Sequence, residues 1–148
     1  MIAIGIGGGR DKVSDTLREI VIANTLADAK RPEQEILREV EAAGYHEEDI
    51  FAIKLALEEA MTNAVRHGNR NDPTKRVRVK YKVTPAETTI IVCDEGRGFQ
   101  PDDVPDPTLP ENIERPCGRG LMLMRAYMTR VEYNRSGNEV HMVKVNER

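Results

Sequence analysis

A chain of 148 residues is one domain's worth of protein, long enough to enclose a single core. Its 22 basic and 25 acidic residues leave a net charge of -3, which excludes a general affinity for nucleic acid or an anionic membrane. Aromatic residues make up 4% with no Trp, so stacking platforms for single-stranded nucleic acid are excluded too.

Residues 1–17 are read as a flexible extension with a short helix near Asp11 to Leu17. The run Gly7-Gly8-Gly9 resembles a phosphate loop only superficially, because no Gly-Lys-Ser/Thr follows it. Arg18 to Leu26 is rich in β-branched residues and predicts an edge strand. Glu33 to Ala43 predicts a helix with Ile36, Val40 and Ala43 inward, Pro32 in its first turn and Gly44 at its C-terminal cap. A second helix runs from Ile50 to His67, opened by the acidic turn Glu47, Glu48, Asp49. Its buried stripe is Ile50, Ile53, Leu57, Ala60, Met61 and Ala64, while Lys54 and Glu58 face solvent. Glu59, Asn63 and His67 stand at i, i+4 and i+8, one turn above another, along the edge of that stripe.

His67 to Pro73 is a loop. Val77, Val79, Tyr81 and Val83 alternate with basic residues in a half-exposed strand, a turn follows at Thr84 to Glu87, and Thr88 to Cys93 returns as a more buried strand. That strand leads into Asp94-Glu95-Gly96-Arg97-Gly98-Phe99. Gln100 to Gly118 holds five prolines and many acids, the mark of a functional lid or a disordered segment. Gly118-Arg119-Gly120 ends it and opens a helix from Leu121 to Met128. Arg130 to Asn134 and Val140 to Val145 are the last two strands. Cys93 and Cys117 make no disulfide framework, and His46, His67 and His141 have no metal-ligand spacing. No apolar run spans a bilayer and the opening MIAIGIGGGR lacks the order of a signal peptide, so the cytoplasm is the expected compartment.

Three pieces therefore stand in sequence: a helix with Glu59 and Asn63, a strand ending in Asp94-x-Gly96-x-Gly98, and Gly118-x-Gly120 before a helix. Each alone is ordinary, since Asp and Gly are common turn residues. Together they fit one chemistry. A strand-end carboxylate accepts a hydrogen bond from an amino group such as adenine's, and glycines let backbone approach a ligand. A helix start offers free N–H groups to phosphates. Asn63 offers the hard oxygen that Mg²⁺ prefers, and Arg119 adds charge beside the phosphates.

The set resembles the GHKL (histidine kinase-like ATPase) superfamily. Glu59-Ala60-x-x-Asn63-Ala64-x-x-His67 is similar to its N box, Asp94-x-Gly96-x-Gly98 to its G1 box, and Gly118-Arg119-Gly120-Leu121 to its G2 box. The size and the strings Asp-Glu-Gly-x-Gly-Phe and Gly-Arg-Gly-Leu-x-Leu-Met most closely resemble the bacterial anti-sigma factor serine-protein kinases. The resemblance implies an α+β fold of the Bergerat type: a two-layer α/β sandwich with a mixed, mostly antiparallel sheet and helices on one face. It implies an ATP-binding domain over residues 18–148, with Glu59 as general base and Asn63 as magnesium ligand. Asp94 becomes the adenine contact, and Gly96, Gly98, Gly118, Arg119, Gly120 and Leu121 shape the pocket for ATP. Gly137-Asn138-Glu139 departs from the family's usual Gly-Thr at the last strand, which bears on the water network beside adenine.

The implied activity is an ATP- and Mg²⁺-dependent protein serine/threonine kinase acting as an anti-sigma factor. Its substrate is a serine of an anti-anti-sigma (STAS-type) partner, and it sequesters a sigma factor or similar regulator. Homodimerisation is expected from the family; direct binding of nucleic acid or membrane is not. The alternative is an ATP-gated protein-binding module without kinase activity. Retention of Glu59 favours the kinase, because binding alone needs no carboxylate there. A histidine kinase fragment ranks third, since no His-bearing dimerisation helix precedes the domain.

Overall fold

The computed structural model describes residues 17–96 and 116–147. The expected extension and its short helix, Gly98 and nearly all of the expected lid lie outside the described residues. Among the described residues, five strands form one sheet in the order β1-β2-β3-β5-β4, where β1 is Arg18–Ala23, β2 Arg76–Val83, β3 Glu87–Asp94, β4 Arg130–Tyr133 and β5 Glu139–Val145. Every pairing among them is antiparallel, so the sheet is less mixed than expected. The fold class is otherwise the one implied by the resemblance, with β1 at an edge.

Alternation along the strands sorts the two faces. Ile20, Val79, Val92 and Val140 stand side by side across four strands and are all buried. Tyr81, Ile90 and Met142 form the next buried row. Val77 pairs with Asp94, so the same period of two that buries Ile90 and Val92 turns the Asp94 carboxylate toward the helical layer. The opposite face carries Arg78, Lys80, Glu132, Glu139 and His141.

Among the described residues, three helices cover the inner face: α1 (Leu26–Ala42), α2 (Glu47–Thr62) and α3 (Pro116–Tyr127). Ile36, Val40, Ile53, Leu57 and Met124 are fully enclosed between the layers. α1 begins seven residues earlier than expected. Thr25 caps it, its hydroxyl accepting from the Asp28 N–H at 2.9 Å and donating to the Asp28 carboxylate at 2.9 Å. Pro32 thus lies inside the helix, where it removes one hydrogen bond. The cap and the buried face of Ala29, Ile36 and Val40 outweigh that loss. Gly44 follows α1 with φ of 89°, the left-handed conformation expected of a helix-ending glycine.

α2 starts at Glu47 and buries a broader stripe than expected, adding Ala52 and Ala56. It does not run on as an α-helix to His67. Asn63–Gly68 forms a π turn, closed by the Asn69 N–H on the Ala64 carbonyl at 2.8 Å. The wider turn carries His67 off the line of Glu59 and Asn63 and leaves it exposed. α3 begins at Pro116, so Gly118, Arg119, Gly120 and Leu121 belong to its first turns and do not precede it.

Candidate functional site

The π turn and the end of β3 meet at one end of the sandwich. Ala60, Asn63 and Ala64 from the helix face Val92, Asp94, Tyr133, Asn138 and Val140 from the sheet across a narrow cleft of about 10 Å³. Asn63 is buried there, and its amide nitrogen has no hydrogen-bond partner among the described residues. A buried amide without a partner costs free energy, so this side chain is suited to a ligand better than to the core. Asp94 is held at the mouth of the same cleft. Burial pushes its carboxyl up to about 6, against the opposing pull of the Gly96 N–H and Lys75.

Two glycines make this arrangement possible. The Gly96 N–H donates to Asp94 Oδ1 at 2.8 Å, and a Cβ on Gly96 would stand 1.8 Å from the Gly68 carbonyl oxygen. Gly68, at the end of the π turn, lies directly against the Asp94 carboxylate. The Asp94-x-Gly96 motif points to Gly96 as a pocket residue, whereas nothing in the local sequence of Gly68 tells which strand it meets.

The β4–β5 turn supports the cleft from the other side. The Asp94 N–H donates to the Asn138 carbonyl at 2.9 Å, and Asn138 Nδ2 donates to the Gly96 carbonyl at 3.3 Å. The residue that departs from the family's Thr therefore carries its own polar contact to the glycine loop. Asn134 steadies it, accepting from the Asn138 N–H at 3.1 Å and donating from Nδ2 to Asn138 Oδ1 at 2.9 Å.

Glu59 lies one helical turn before Asn63 but opens into a neighbouring depression of about 330 Å³, lined also by Leu26, Lys30, Glu33 and Glu58. The structure brings Asn63, Asp94, Gly96 and Asn138 together, while Glu59 lines the other depression and not this cleft. Burial, and then the charge of Glu58, raises the Glu59 carboxyl above its usual range, which favours a proton acceptor. Glu58 is not the solvent-facing residue expected from its position. It is half-buried, shares the depression, and stands 3.9 Å from Lys30. Glu33 beside it is raised by burial and then by Glu58.

The orphaned Asn63 Nδ2 is a donor suited to an acceptor such as a phosphate oxygen, and the amide oxygen of the same side chain is of the hard type that would hold Mg²⁺. Mg²⁺ in phosphate-bearing sites is held largely by phosphates and water with one or two protein oxygens, so a single amide oxygen at Asn63 suffices. The described residues contain no cluster of three or more metal-ligating His, Cys, Asp or Glu. Among them, no helix is long and apolar enough to cross a membrane.

An amide from the π turn and a carboxylate from the end of β3 thus share one cleft between the helical layer and the sheet, and comparison with known proteins identifies the family of the fold that holds them. The profile of the histidine kinase-like ATPase domain matches residues 22–144. Serine-protein kinase RsbW of Bacillus licheniformis is 36% identical over 110 residues, covering 68% of each chain. Anti-sigma F factor of Clostridium botulinum is 29% identical over 85 residues, covering 55% of this chain and 58% of its own. A crystal structure of the RsbU and RsbW domains of a Mycobacterium tuberculosis protein superposes with a TM-score of 0.58 at 19% identity, over 88% of this chain and 32% of that one, which is a likeness of fold. The chain belongs to the histidine kinase-like ATPase domain family and, within it, to the anti-sigma factor and serine-protein kinase branch.

Proposed function

We propose that this protein is an ATP-dependent serine/threonine kinase of the anti-sigma type. It phosphorylates a serine of an anti-anti-sigma (STAS-type) partner and sequesters a sigma factor or similar regulator. Residues 18–148 form its nucleotide domain, working as a homodimer in the cytoplasm. The observation that carries this reading is the cleft itself, where the unpartnered amide of Asn63 and the desolvated carboxylate of Asp94 face one cavity.

In this reading Asp94 accepts the adenine amino group, while Gly96, Gly98, Gly118, Arg119, Gly120 and Leu121 line the base and phosphates. Asn63 would hold Mg²⁺ through its amide oxygen, and the cation would supply charge neutralisation at the phosphates. Glu59 accepts the proton of the partner's serine as that oxygen bonds to the γ-phosphorus and ADP leaves. The raised affinity of Glu59 for a proton supports the role of base.

A second reading is an ATP-gated binding module without phosphoryl transfer. One observation favours it: Glu59 opens into a depression separate from the Asn63–Asp94 cleft. The test is to incubate the protein with Mg²⁺, radiolabelled ATP and a purified STAS-type protein, then to map phosphoserine. Label on the partner's serine supports the kinase. ATP binding and a stable complex without label after long incubation leave the module.

A further inference from the structure

Asn69 follows the π turn and is fully buried, in a loop whose other polar residues are mostly at the surface. Its carboxamide makes three hydrogen bonds to three separate parts of the chain. Oδ1 accepts from the Glu95 N–H at 2.7 Å, the amide next to Asp94. Nδ2 donates to the Arg76 carbonyl at 2.9 Å and to Asn24 Oδ1 at 3.0 Å. The polarity of the carboxamide is dictated by its surroundings, since a backbone N–H faces one side and a backbone carbonyl the other. Asn24 is buried in turn and donates to the Asp72 carbonyl at 3.0 Å. The chain around this hub is strained: Arg70 and Asn71 are left-handed in succession, with φ of 54° and 59°. Such a conformation persists only where neighbouring bonds hold it, and strained residues of this kind gather at functional sites.

We propose that Asn69 is a positioning residue of the nucleotide cleft: its carboxamide fixes the end of the Asn63–Gly68 π turn to the Glu95 amide, and so sets where the Asp94 carboxylate stands relative to Asn63. The geometry is direct. Asn69 is bonded to Ala64 through its own N–H at 2.8 Å and to Glu95 through its side chain, which ties both walls of the cleft to one residue. Glu95 completes the tie, its carboxylate accepting from the Arg76 N–H at 3.1 Å. The inference rests on the nucleotide-site reading above.

The experiment is a double-mutant cycle between Asn69→Ala and Asp94→Asn in the full chain, with Mg·ADP affinity measured by calorimetry and folding followed by thermal melting. Asn69→Ala is expected to weaken ADP about 10-fold, the scale of one buried hydrogen bond. In the Asp94→Asn background the same change is expected to cost less than about 3-fold, because the group it positions is already gone. Equal losses in both backgrounds would show that Asn69 does not act through Asp94 and would overturn the proposal. Should Asn69→Ala not fold, Asn69→Ser replaces it, keeping polarity in the cavity with a shorter reach. If neither variant folds, Asn69 belongs to the fold and the proposal is lost. Should Asp94→Asn itself leave ADP affinity intact, the nucleotide-site reading fails, which is a different outcome.

Discussion

Gly68 and Asp94 meet so closely that a Cβ on the glycine would lie 2.2 Å from Asp94 Oδ2. The approach joins the last residue of the π turn to the last residue of β3, 26 positions away in the chain. The Gly68 backbone is not left-handed, so an alanine there meets no conformational penalty, only the carboxylate. Gly68→Ala is therefore expected to push the Asp94 side chain aside, leaving the melting temperature nearly unchanged and ATP affinity at least about 10-fold lower, the scale of one hydrogen bond to a charged group. Gly96→Ala drives its Cβ into the Gly68 carbonyl, a backbone atom that cannot swing away, and is expected to lower both stability and affinity. Calorimetry and thermal melting on the two variants separate these outcomes. Equal behaviour of the pair contradicts the assignment.

Asp94→Asn is expected to weaken ATP by roughly 10- to 100-fold, the range for a hydrogen bond to a charged acceptor. Its effect on stability runs the other way. Burial raises the Asp94 carboxyl from 3.8 to about 6, so the folded chain holds that proton more tightly than the unfolded chain does. The resulting stabilisation is fully present below pH 3.8 and is lost as pH rises through about 6. At pH 7 the ionised, desolvated carboxylate is a cost, which the neutral amide removes. The melting temperature of Asp94→Asn at pH 7 should equal or exceed that of the wild type. Nucleotide binding needs the ionised acceptor, so wild-type ATP affinity should fall as pH drops through about 6, and Asp94→Asn should lack that step. A variant that melts early while binding ATP normally would mark Asp94 as a turn residue only.

β2 is legible because its apolar residues alternate with basic ones, and β3 because Ile90, Ile91 and Val92 form an apolar run, but the face that Asp94 takes follows only from its pairing with Val77 in the sheet. The start of α1 was hidden by Pro32, which reads as a first-turn residue. The informative signal was Thr25 with Asp28 three positions on, a reciprocal cap that overrules a single interior proline. The π turn had no local signature, since the residues of Asn63–Gly68 suit an α-helix equally well, and it shifted His67 away from the site. Glu58 departs from the solvent-facing expectation for a tertiary reason. Helical spacing points it away from Glu59, but α1 packs alongside and encloses it with Lys30 and Glu33. Asn69 sits in a run of Asn, Arg and Asp that resembles any exposed turn, and only its three distant partners distinguish it.

Tyr45 provides a test of stability that leaves the cleft alone. Its hydroxyl donates to the Thr84 carbonyl at 2.8 Å and accepts from the fully buried Thr88 hydroxyl at 3.0 Å, tying the α1–α2 connection to the β2–β3 turn. Tyr45→Phe leaves the Thr88 hydroxyl without that acceptor in the core, at a cost of about 1–3 kcal/mol. Urea unfolding should show the loss as a lower midpoint with an unchanged slope, and ATP affinity should stay within a factor of about two. A matching loss of affinity would mean that the fold and the cleft are coupled throughout.

Glu59 decides between the kinase and the binding module. As general base, Glu59→Gln removes the proton acceptor while keeping size and polarity, so the fold and most ATP affinity should survive. Phosphoryl transfer should fall by about 10²–10⁴-fold, the usual contribution of a positioned base, and the loss should appear in turnover. Glu58→Gln cannot serve as the control, because Glu58 shares the depression and raises Glu59. Exposed Glu41 on α1 can, and Glu41→Gln should transfer phosphate at the wild-type rate. The proton acceptor should also leave its mark on pH dependence. Burial and Glu58 raise the Glu59 carboxyl, so turnover should fall as the medium acidifies through that raised value, and Glu59→Gln should flatten the profile. If Glu59 instead serves only to hold a neighbouring group, Glu59→Gln will weaken stability or ATP binding, with turnover per bound ATP unaltered.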